Sequence, residues 1–599
     1  MMFALALVLT SHELIAEQAG RPNVLLIMTD DQGYGDLSIN GNPHLRTPSI
    51  DGLAKSGIRF ERFYVNSFCA PTRAALLTGR YPVRTGTYGV THNKECMRSE
   101  EVTLGEAFAA AGYKTGCFGK WHNGEQFPYT PPGQGFQEYF GFHNGHINNY
   151  FDTVLIRGSH PEATKGYITD VLTDEAIQFI RRHKDEPFFC YVPFNAPHSP
   201  YQIPDSYYDK FREMSFDEAV SSFYGMCENI DENVGRFLAV LDEQGLSENT
   251  IVLFLTDNGG TAGVKVFNAG MRGGKTSVHE GGCRVPLFLR WPKRFAEPRT
   301  VTQIASHIDL LPTLLELCGI EHPDGPPLDG VSLVPLMNGQ TDDWPERILF
   351  THNPIDEHNR YPGAVRTQRY RLVREIQGRQ GGSSATENDE NAKPWQLYDM
   401  IDDPGQKQDL AKDQPHIVDR LAKEYENWVD DIFSRPLERL AIPVGYPEEN
   451  PVLLNAPQSR ITGSLHFHSG PGFAHDYLVN WSDLESTVRF DVDVVRAGVY
   501  QLDLILGCPK DQAGSQVQIQ IGDERLTVEI PAVDAPVIPL PHRDQRSEGR
   551  YVNRLWGRLS AGTMSLKSGR QQLLLKANSI ATDSVMDLKG VQLTCMSQE

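Results

Sequence analysis

The stretch Asn23-Val24-Leu25-Leu26-Ile27-Met28-Thr29-Asp30-Asp31-Gln32-Gly33-Tyr34-Gly35 sets the architecture. An unbroken apolar run closed by a Gly-rich turn predicts a strand covered on both faces, because a strand with one wet face would alternate. Such strands belong to helix-flanked α/β sheets, and ligands collect at their carboxyl ends. The pattern recurs far downstream as Ile251-Val252-Leu253-Phe254-Leu255 followed by Thr256-Asp257-Asn258-Gly259-Gly260. If the two strands are adjacent and parallel, Asp30, Asp31, Asp257 and Asn258 converge. That all-oxygen set suits a hard divalent cation, Ca²⁺ ahead of Mg²⁺ because no phosphate-rich partner is evident. Either pair alone also fits a turn or a helix cap; the repetition favours the cation.

Between these strands lies Cys69-Ala70-Pro71-Thr72-Arg73, continuing through Ala74-Ala75-Leu76-Leu77-Thr78-Gly79-Arg80. Pro71 suits the first turn of a helix, Ala and Leu favour its continuation, and Gly79 suits its end. Cys69 then stands at a helix N-terminus, where unpaired amides and the positive dipole end attract anions, with Arg73 one turn along. A buried Cys at the start of an ordinary helix fits the same residues.

This stretch resembles the maturation motif of the type I sulfatases, Cys-x-Pro-Ser-Arg followed by Leu-Thr-Gly-Arg, with Thr72 where Ser is usual. The resemblance implies that a formylglycine-generating or sulfatase-maturating enzyme oxidises Cys69 to formylglycine, so that position 69 acts as an aldehyde hydrate. It also implies Ca²⁺ bound by Asp30, Asp31, Asp257, Asn258 and the modified Cys69.

Thr103 to Ala111 reads as a short amphipathic helix, and Tyr113 to Gly119 as a strand running into Lys120-Trp121-His122. A Lys and a His two apart after a strand can face one pocket, the Lys holding an anionic oxygen and the His moving a proton. A surface Lys is the plain alternative. The string Gly119-Lys120-Trp121-His122 resembles the family's second motif, which implies catalytic roles for Lys120 and His122. Asn123-Gly124 stands where the family often continues Leu-Gly and is expected to reshape the pocket rim.

Ser159 to Arg182 predicts a loop leading into a helix. Pro187 to Val192 predicts a buried strand that delivers Pro193-Phe194-Asn195-Ala196-Pro197-His198-Ser199-Pro200. A His on a proline-stiffened loop at a strand end is a general-acid candidate or a turn cap. Its resemblance to the family's Pro-His-x-Pro segment implies the acid. Phe216 to Glu243 has helical periodicity. Beyond the second strand, Arg272-Gly273-Gly274-Lys275-Thr276-Ser277-Val278-His279-Glu280-Gly281-Gly282 joins close-approach glycines to cations that offset the acidic cluster. The resemblance implies that Lys275 contacts sulfate. Arg272 and His279 are candidates for the rest of the substrate, with surface roles as the alternative.

The chain has 599 residues, too many for one ordinary core, and a net charge of −21, which argues against nucleic acid or an anionic membrane as partner. An anionic substrate would need a local cluster of Arg, Lys and His. The nine Cys are scattered without metal-type spacing and predict neither a disulfide framework nor a zinc site. Met2 to Thr10 is apolar, too short to span a bilayer, and fits an export signal without a basic start.

The expected organisation is a possible signal segment (1–20), an alkaline-phosphatase-like α/β domain with a mixed sheet flanked by helices (21–340), and a small antiparallel C-terminal subdomain (341–445). An appended β-sandwich (450–599) follows. Gly378 to Asn391 reads as a mobile loop. The sandwich expectation rests on half-buried alternation at Thr487–Val494, Gly498–Leu504, Val517–Ile521 and Gln571–Lys576. The alkaline-phosphatase-like fold and the subdomain are what the resemblance implies. So is the chemistry: hydrolysis of sulfate esters, with Arg73, Lys120 and Lys275 holding sulfate. The appended sandwich points to a sulfated carbohydrate as the substrate, and the Met2–Thr10 segment to a periplasmic or secreted enzyme. In that scheme one hydroxyl at position 69 attacks sulfur with Asp257 as base, His198 protonates the leaving alcohol, and His122 takes the proton that releases sulfate. A phosphatase or phosphonate hydrolase on the same fold, and an unmatured sulfated-glycan binder, are the rival readings.

Overall fold

The computed structural model describes residues 20–353, 359–377 and 389–596. The possible signal segment and most of the Gly378–Asn391 loop lie outside these residues.

Strand β1 (Asn23–Thr29) lies near the middle of an 11-stranded sheet. The sheet also holds β2 (Ile58–Tyr64), β3 (Lys114–Lys120), β4 (Glu138–Phe142), β5 (Phe188–Pro193), β6 (Thr250–Thr256) and β7 (Arg284–Arg290). The central order is β2-β7-β6-β1-β5-β3-β4. From β6 to β4 the strands are parallel, while β7 runs antiparallel to both β6 and β2, so the sheet is mixed. Opposite faces of β1 feed separate cores, Val24, Leu26 and Met28 into one and Leu25 and Ile27 into the other. The continuous apolar run follows from that, since each fully buried aliphatic side chain contributes about 1.5–3 kcal/mol.

Helices α1 (Cys69–Thr78) and α2 (Leu104–Ala110) cover the first face; α3 (Ile168–Arg182) and α4 (Glu218–Glu243) cover the second. Pro71 falls at the third helical position of α1, still within the first turn, and Gly79 ends the helix in the left-handed region at φ 68°. Thr103 caps α2 in a reciprocal box with Glu106, so this helix starts one residue later than the periodicity suggests. Asp217 caps α4 through the Val220 amide and excludes Phe216 from it.

A 4-stranded antiparallel sheet follows (Leu349–His352, Gly363–Arg366, Tyr370–Arg374, Gln396–Asp399). Helix α5 (Pro415–Ile432) packs against it through Leu421, Tyr425 and Val429. The remaining chain forms two 6-stranded sheets around one core that includes Phe490, Leu504, Ile519 and Leu575, and a small 2-stranded sheet of Val537–Ile538 with Asn553–Arg554. Strand Thr487–Val494 buries Val488, Phe490, Val492 and Val494 and turns its charged residues outward. The short strand Ile442–Val444 already pairs with it, so sandwich pairing begins before residue 450.

Polar contacts join the sandwich to the α/β unit. Gln458 bonds Asn93 and Gln126 at 2.8 and 2.9 Å, Asn455 bonds Glu125 at 2.6 Å, and His542 meets Gln202 at 3.2 Å. No helix among the described residues is long and apolar enough to cross a membrane. All nine cysteines are buried, and no disulfide joins them.

Candidate active site

The pairing of Thr29 with Thr256 carries the next residues of both strands past the sheet edge side by side. The Asp31 amide donates to Asp257 Oδ1 at 3.1 Å, and Asn258 Nδ2 donates to Asp31 Oδ1 at 2.9 Å. The convergence expected from the repeated Thr-Asp pattern is therefore present. Arg73, wholly buried on α1, reaches Asp257 Oδ2 at 2.7 Å and lies 4.0 Å from Asp30. Lys120, at the end of β3, bonds Asp30 Oδ2 at 2.7 Å, and Lys275 bonds Asp31 Oδ1 at 2.6 Å. His198 Nε2 lies 3.8 Å from Asp31 Oδ2.

Even with three cations present, the cluster retains acceptors without donors. Asp30 Oδ1 and Asn258 Oδ1 are buried and accept no hydrogen bond, a state that costs about 1–3 kcal/mol per group in protein interiors. Asp30, Asp31 and His198 offer ligand atoms within 4.8 Å of one another. The donor set is dominated by hard oxygen and fits Ca²⁺. Burial pushes the Asp30 carboxyl up, with Lys120 opposing it. Burial also acts to raise Asp31, but Lys275, His198 and Asn258 outweigh it and take that carboxyl down to about 2.

Asp31 and His122 hold left-handed backbone at φ 69° and 63°, costing about 1–3 kcal/mol each. His122 Nε2 meets the Val90 carbonyl at 2.8 Å, and Nδ1 is buried without a partner. A β-carbon at Gly145 would lie 2.5 Å from His122 Nε2. Gly145→Ala is accordingly expected to displace the ring and lower kcat by about 10²-fold, the scale of a misplaced catalytic group, with melting nearly unchanged; steady-state kinetics on an aryl sulfate check it. Burial lowers both His122 and His198 well below the ordinary imidazole value, with Lys120 adding to the effect at His122. Burial likewise pushes the Cys69 thiol up.

Cys69, His122, His198, Lys275 and Asp31 line one cavity of about 540 Å³, within the roughly 300–1,000 Å³ range of small-molecule sites. Asp30, Arg73, Lys120, Asp257 and Asn258 are buried around them. Arg272 and His279, expected on the substrate side, do not line this cavity. Arg272 donates to the Tyr398 hydroxyl at 2.7 Å, and His279 is buried 3.3 Å from Glu375, so both serve the packing of the 4-stranded sheet on the core. Asn123 does not shape the rim either. It is buried, and its amide donates to the Ala70 carbonyl at 3.0 Å, anchoring the first turn of α1.

Sequence reasoning missed His146, whose ring stacks on His198 at 6.1 Å and meets Tyr551 at 5.2 Å. The available signal was the run His143-Asn144-Gly145-His146 directly after β4. It also missed Tyr551, whose hydroxyl lies 2.5 Å from Ser199 Oγ. No local signal in the sequence marks that residue.

The family model described as Sulfatase matches residues 22–320, and that described as N-sulphoglucosamine sulphohydrolase, C-terminal, matches residues 274–430. Arylsulfatase A of Homo sapiens is 32% identical over 438 residues, 65% of this chain and 83% of the relative. N-acetylgalactosamine-6-sulfatase of Mus musculus is 33% identical over 380 residues, 57% of this chain and 71% of the relative. Among solved structures, Ps i-CgsB in complex with k-i-k-neocarrahexaose aligns with TM-score 0.61 and 30% identity, covering 69% of this chain and 93% of that one. The chain belongs to the type I sulfatase family, with its alkaline-phosphatase-like fold. It is a sulfuric ester hydrolase. Neither family match extends into the sandwich strands beyond residue 430.

Proposed function

We propose that this enzyme desulfates a sulfated carbohydrate, using formylglycine generated from Cys69 by a maturating enzyme and Ca²⁺ held by Asp30, Asp31, Asp257, Asn258 and position 69. The observation that carries this reading is the joint placement of Cys69, Lys275, His122 and His198 on one cavity, over acidic strand tips with oxygens that accept no hydrogen bond. The relative solved with a bound neocarrahexaose supports a carbohydrate, and the apolar Met2–Thr10 segment supports a periplasmic or secreted location.

Ca²⁺, when bound, supplies positive charge to the sulfate oxygens, and formylglycine supplies paired hydroxyls, one to accept the sulfuryl group and one to allow its release by elimination. The residues of the chain do the rest. Lys275, with Lys120 and Arg73 behind it, favours an anion at the cavity floor and stabilises charge on its oxygens. Asp257 takes the proton from the attacking hydroxyl. The His198 Nδ1–H donates to the Ser199 carbonyl, which turns Nε2 toward the site. An anionic sulfate beside His198 counteracts its desolvation and favours the imidazolium, which then protonates the leaving alcohol at Nε2. The His122 Nε2–H is committed to Val90, leaving Nδ1 to accept the second hydroxyl's proton.

The test compares aryl sulfate and aryl phosphate turnover in one preparation, before and after chelation. Sulfate turnover is expected to exceed phosphate turnover by about 10²-fold or more, to collapse on chelation, and to return with Ca²⁺ more fully than with Mg²⁺. Calorimetric Ca²⁺ titration of the chelated protein reads the metal site separately. Dominant phosphate turnover, or activity indifferent to metal, overturns the reading.

A further inference from the structure

One wall of the catalytic cavity comes from the β-sandwich. His468, Ser469, Phe473, Ser547, Arg550 and Tyr551 line the same cavity as Cys69 and Lys275. These residues are held in place there. Tyr551 is tied to Ser199 beside His198, the Asn148 amide donates to the Val552 carbonyl at 3.0 Å, and the His146 ring contacts both Tyr551 and His475, the latter at 5.7 Å.

Within this wall Arg550 is the cation without an assigned task. Its guanidinium lies 4.7 Å from the centre of the Phe473 ring and 5.7 Å from that of Tyr551. Among the described residues it forms no ion pair and no hydrogen bond. Of the acids on the cavity, Asp31 is paired with Lys275, while Asp544 accepts from the Ser547 amide at 2.9 Å through Oδ1 and keeps a buried Oδ2 without a hydrogen bond. A protein of net charge −21 thus keeps a guanidinium, oriented by two aromatic rings, facing the space next to its sulfate-binding floor. A planar guanidinium forks onto a carboxylate or sulfate with two parallel hydrogen bonds, and pre-orientation by the rings lowers the entropy lost in doing so.

We propose that Arg550, backed by Phe473 and Tyr551, forms a subsite for a second anionic group on the substrate, a sulfate ester or a uronate carboxylate of the saccharide whose scissile sulfate lies at position 69. The inference rests on the sulfate-ester reading of the site and narrows it to saccharides bearing at least two negative groups. It also makes the sandwich part of the active site instead of a remote carbohydrate anchor.

The experiment uses the full chain and three disaccharides that share one scissile sulfate: one with a second sulfate, one with a uronate, and one otherwise neutral. Wild-type kcat/KM is expected to favour at least one doubly anionic substrate over the neutral one by about 10- to 100-fold, mainly through KM. Arg550→Ala and Arg550→Gln are expected to bring that ratio close to one; Gln keeps part of the aliphatic stem and a planar polar end while losing the charge, so agreement between the two assigns the effect to the guanidinium. The arm that loses its preference identifies sulfate or carboxylate. Equal turnover of all three substrates by wild type, or a ratio unchanged in both variants, overturns the subsite. The same ligands are titrated calorimetrically into Cys69→Ala protein with and without Arg550. A chain that cleaves nothing, yet binds the doubly anionic ligand more tightly through Arg550, would refute the activity and retain the subsite. No difference in binding refutes the subsite itself.

Discussion

Cys69→Ala is expected to abolish sulfate ester hydrolysis, with a loss of about 10⁴-fold or more, the scale seen when a covalent nucleophile is removed. The thiol is buried at the first position of α1, on the cavity wall shared with Lys275, His122 and His198. Methyl replacement leaves the helix start and the Arg73–Asp257 pair in place, so stability is expected to change by only about 1 kcal/mol. Cys69→Ser is expected to be nearly as inactive in turnover. A serine sulfate ester has no second hydroxyl to drive its own elimination, so a single turnover would be followed by arrest. Mass spectrometry of the wild-type peptide spanning residue 69 supplies the companion reading: conversion of thiol to aldehyde lowers its mass. Undiminished activity of Cys69→Ala, or an active wild type with an intact thiol, would contradict the scheme.

Arg73→Ala is expected to cost about 3–5 kcal/mol of stability together with most of the activity, because removing one member of a buried ion pair strands the other's charge. Arg73 donates to Asp257 through Nε at 3.2 Å and Nη2 at 2.7 Å, and to the Lys120 carbonyl through Nη1 at 2.9 Å. It therefore spaces two strand ends as well as balancing charge. Arg73→Lys keeps a cation but loses the fork, and is expected to recover only part of the loss. Calorimetry of the whole chain with and without Ca²⁺ checks this: saturating Ca²⁺ is expected to narrow the gap by supplying other positive charge to Asp257. A wild-type melting profile in Arg73→Ala would show that the pair contributes nothing.

Much of the catalytic unit was legible in the sequence because its information is local. The unbroken runs at Val24–Met28 and Ile251–Leu255 mark strands with two buried faces, and the Thr-Asp endings repeat because both strands deliver acids to the same sheet edge. Register then does the assembly: pairing Thr29 with Thr256 leaves Asp30, Asp31, Asp257 and Asn258 no other meeting place. The sandwich strands were legible for a similar reason, since period-two alternation at Thr487–Val494 is a direct consequence of one dry face.

What the sequence by itself determined is that β1, β5, β6, α3, α4 and the main sandwich strands form, and which residues stand at their ends, because hydrophobic period, caps and turns act over a few neighbours; β2 and β4 carried no such signal. Only the tertiary structure decided which of those ends share a cavity. It drew Arg272 and His279 away to Tyr398 and Glu375, buried Asn123 beneath α1, and brought Tyr551 to Ser199 across 352 positions of chain. Such meetings depend on how whole layers dock, and no short window of residues encodes the docking of two layers that distant in the chain.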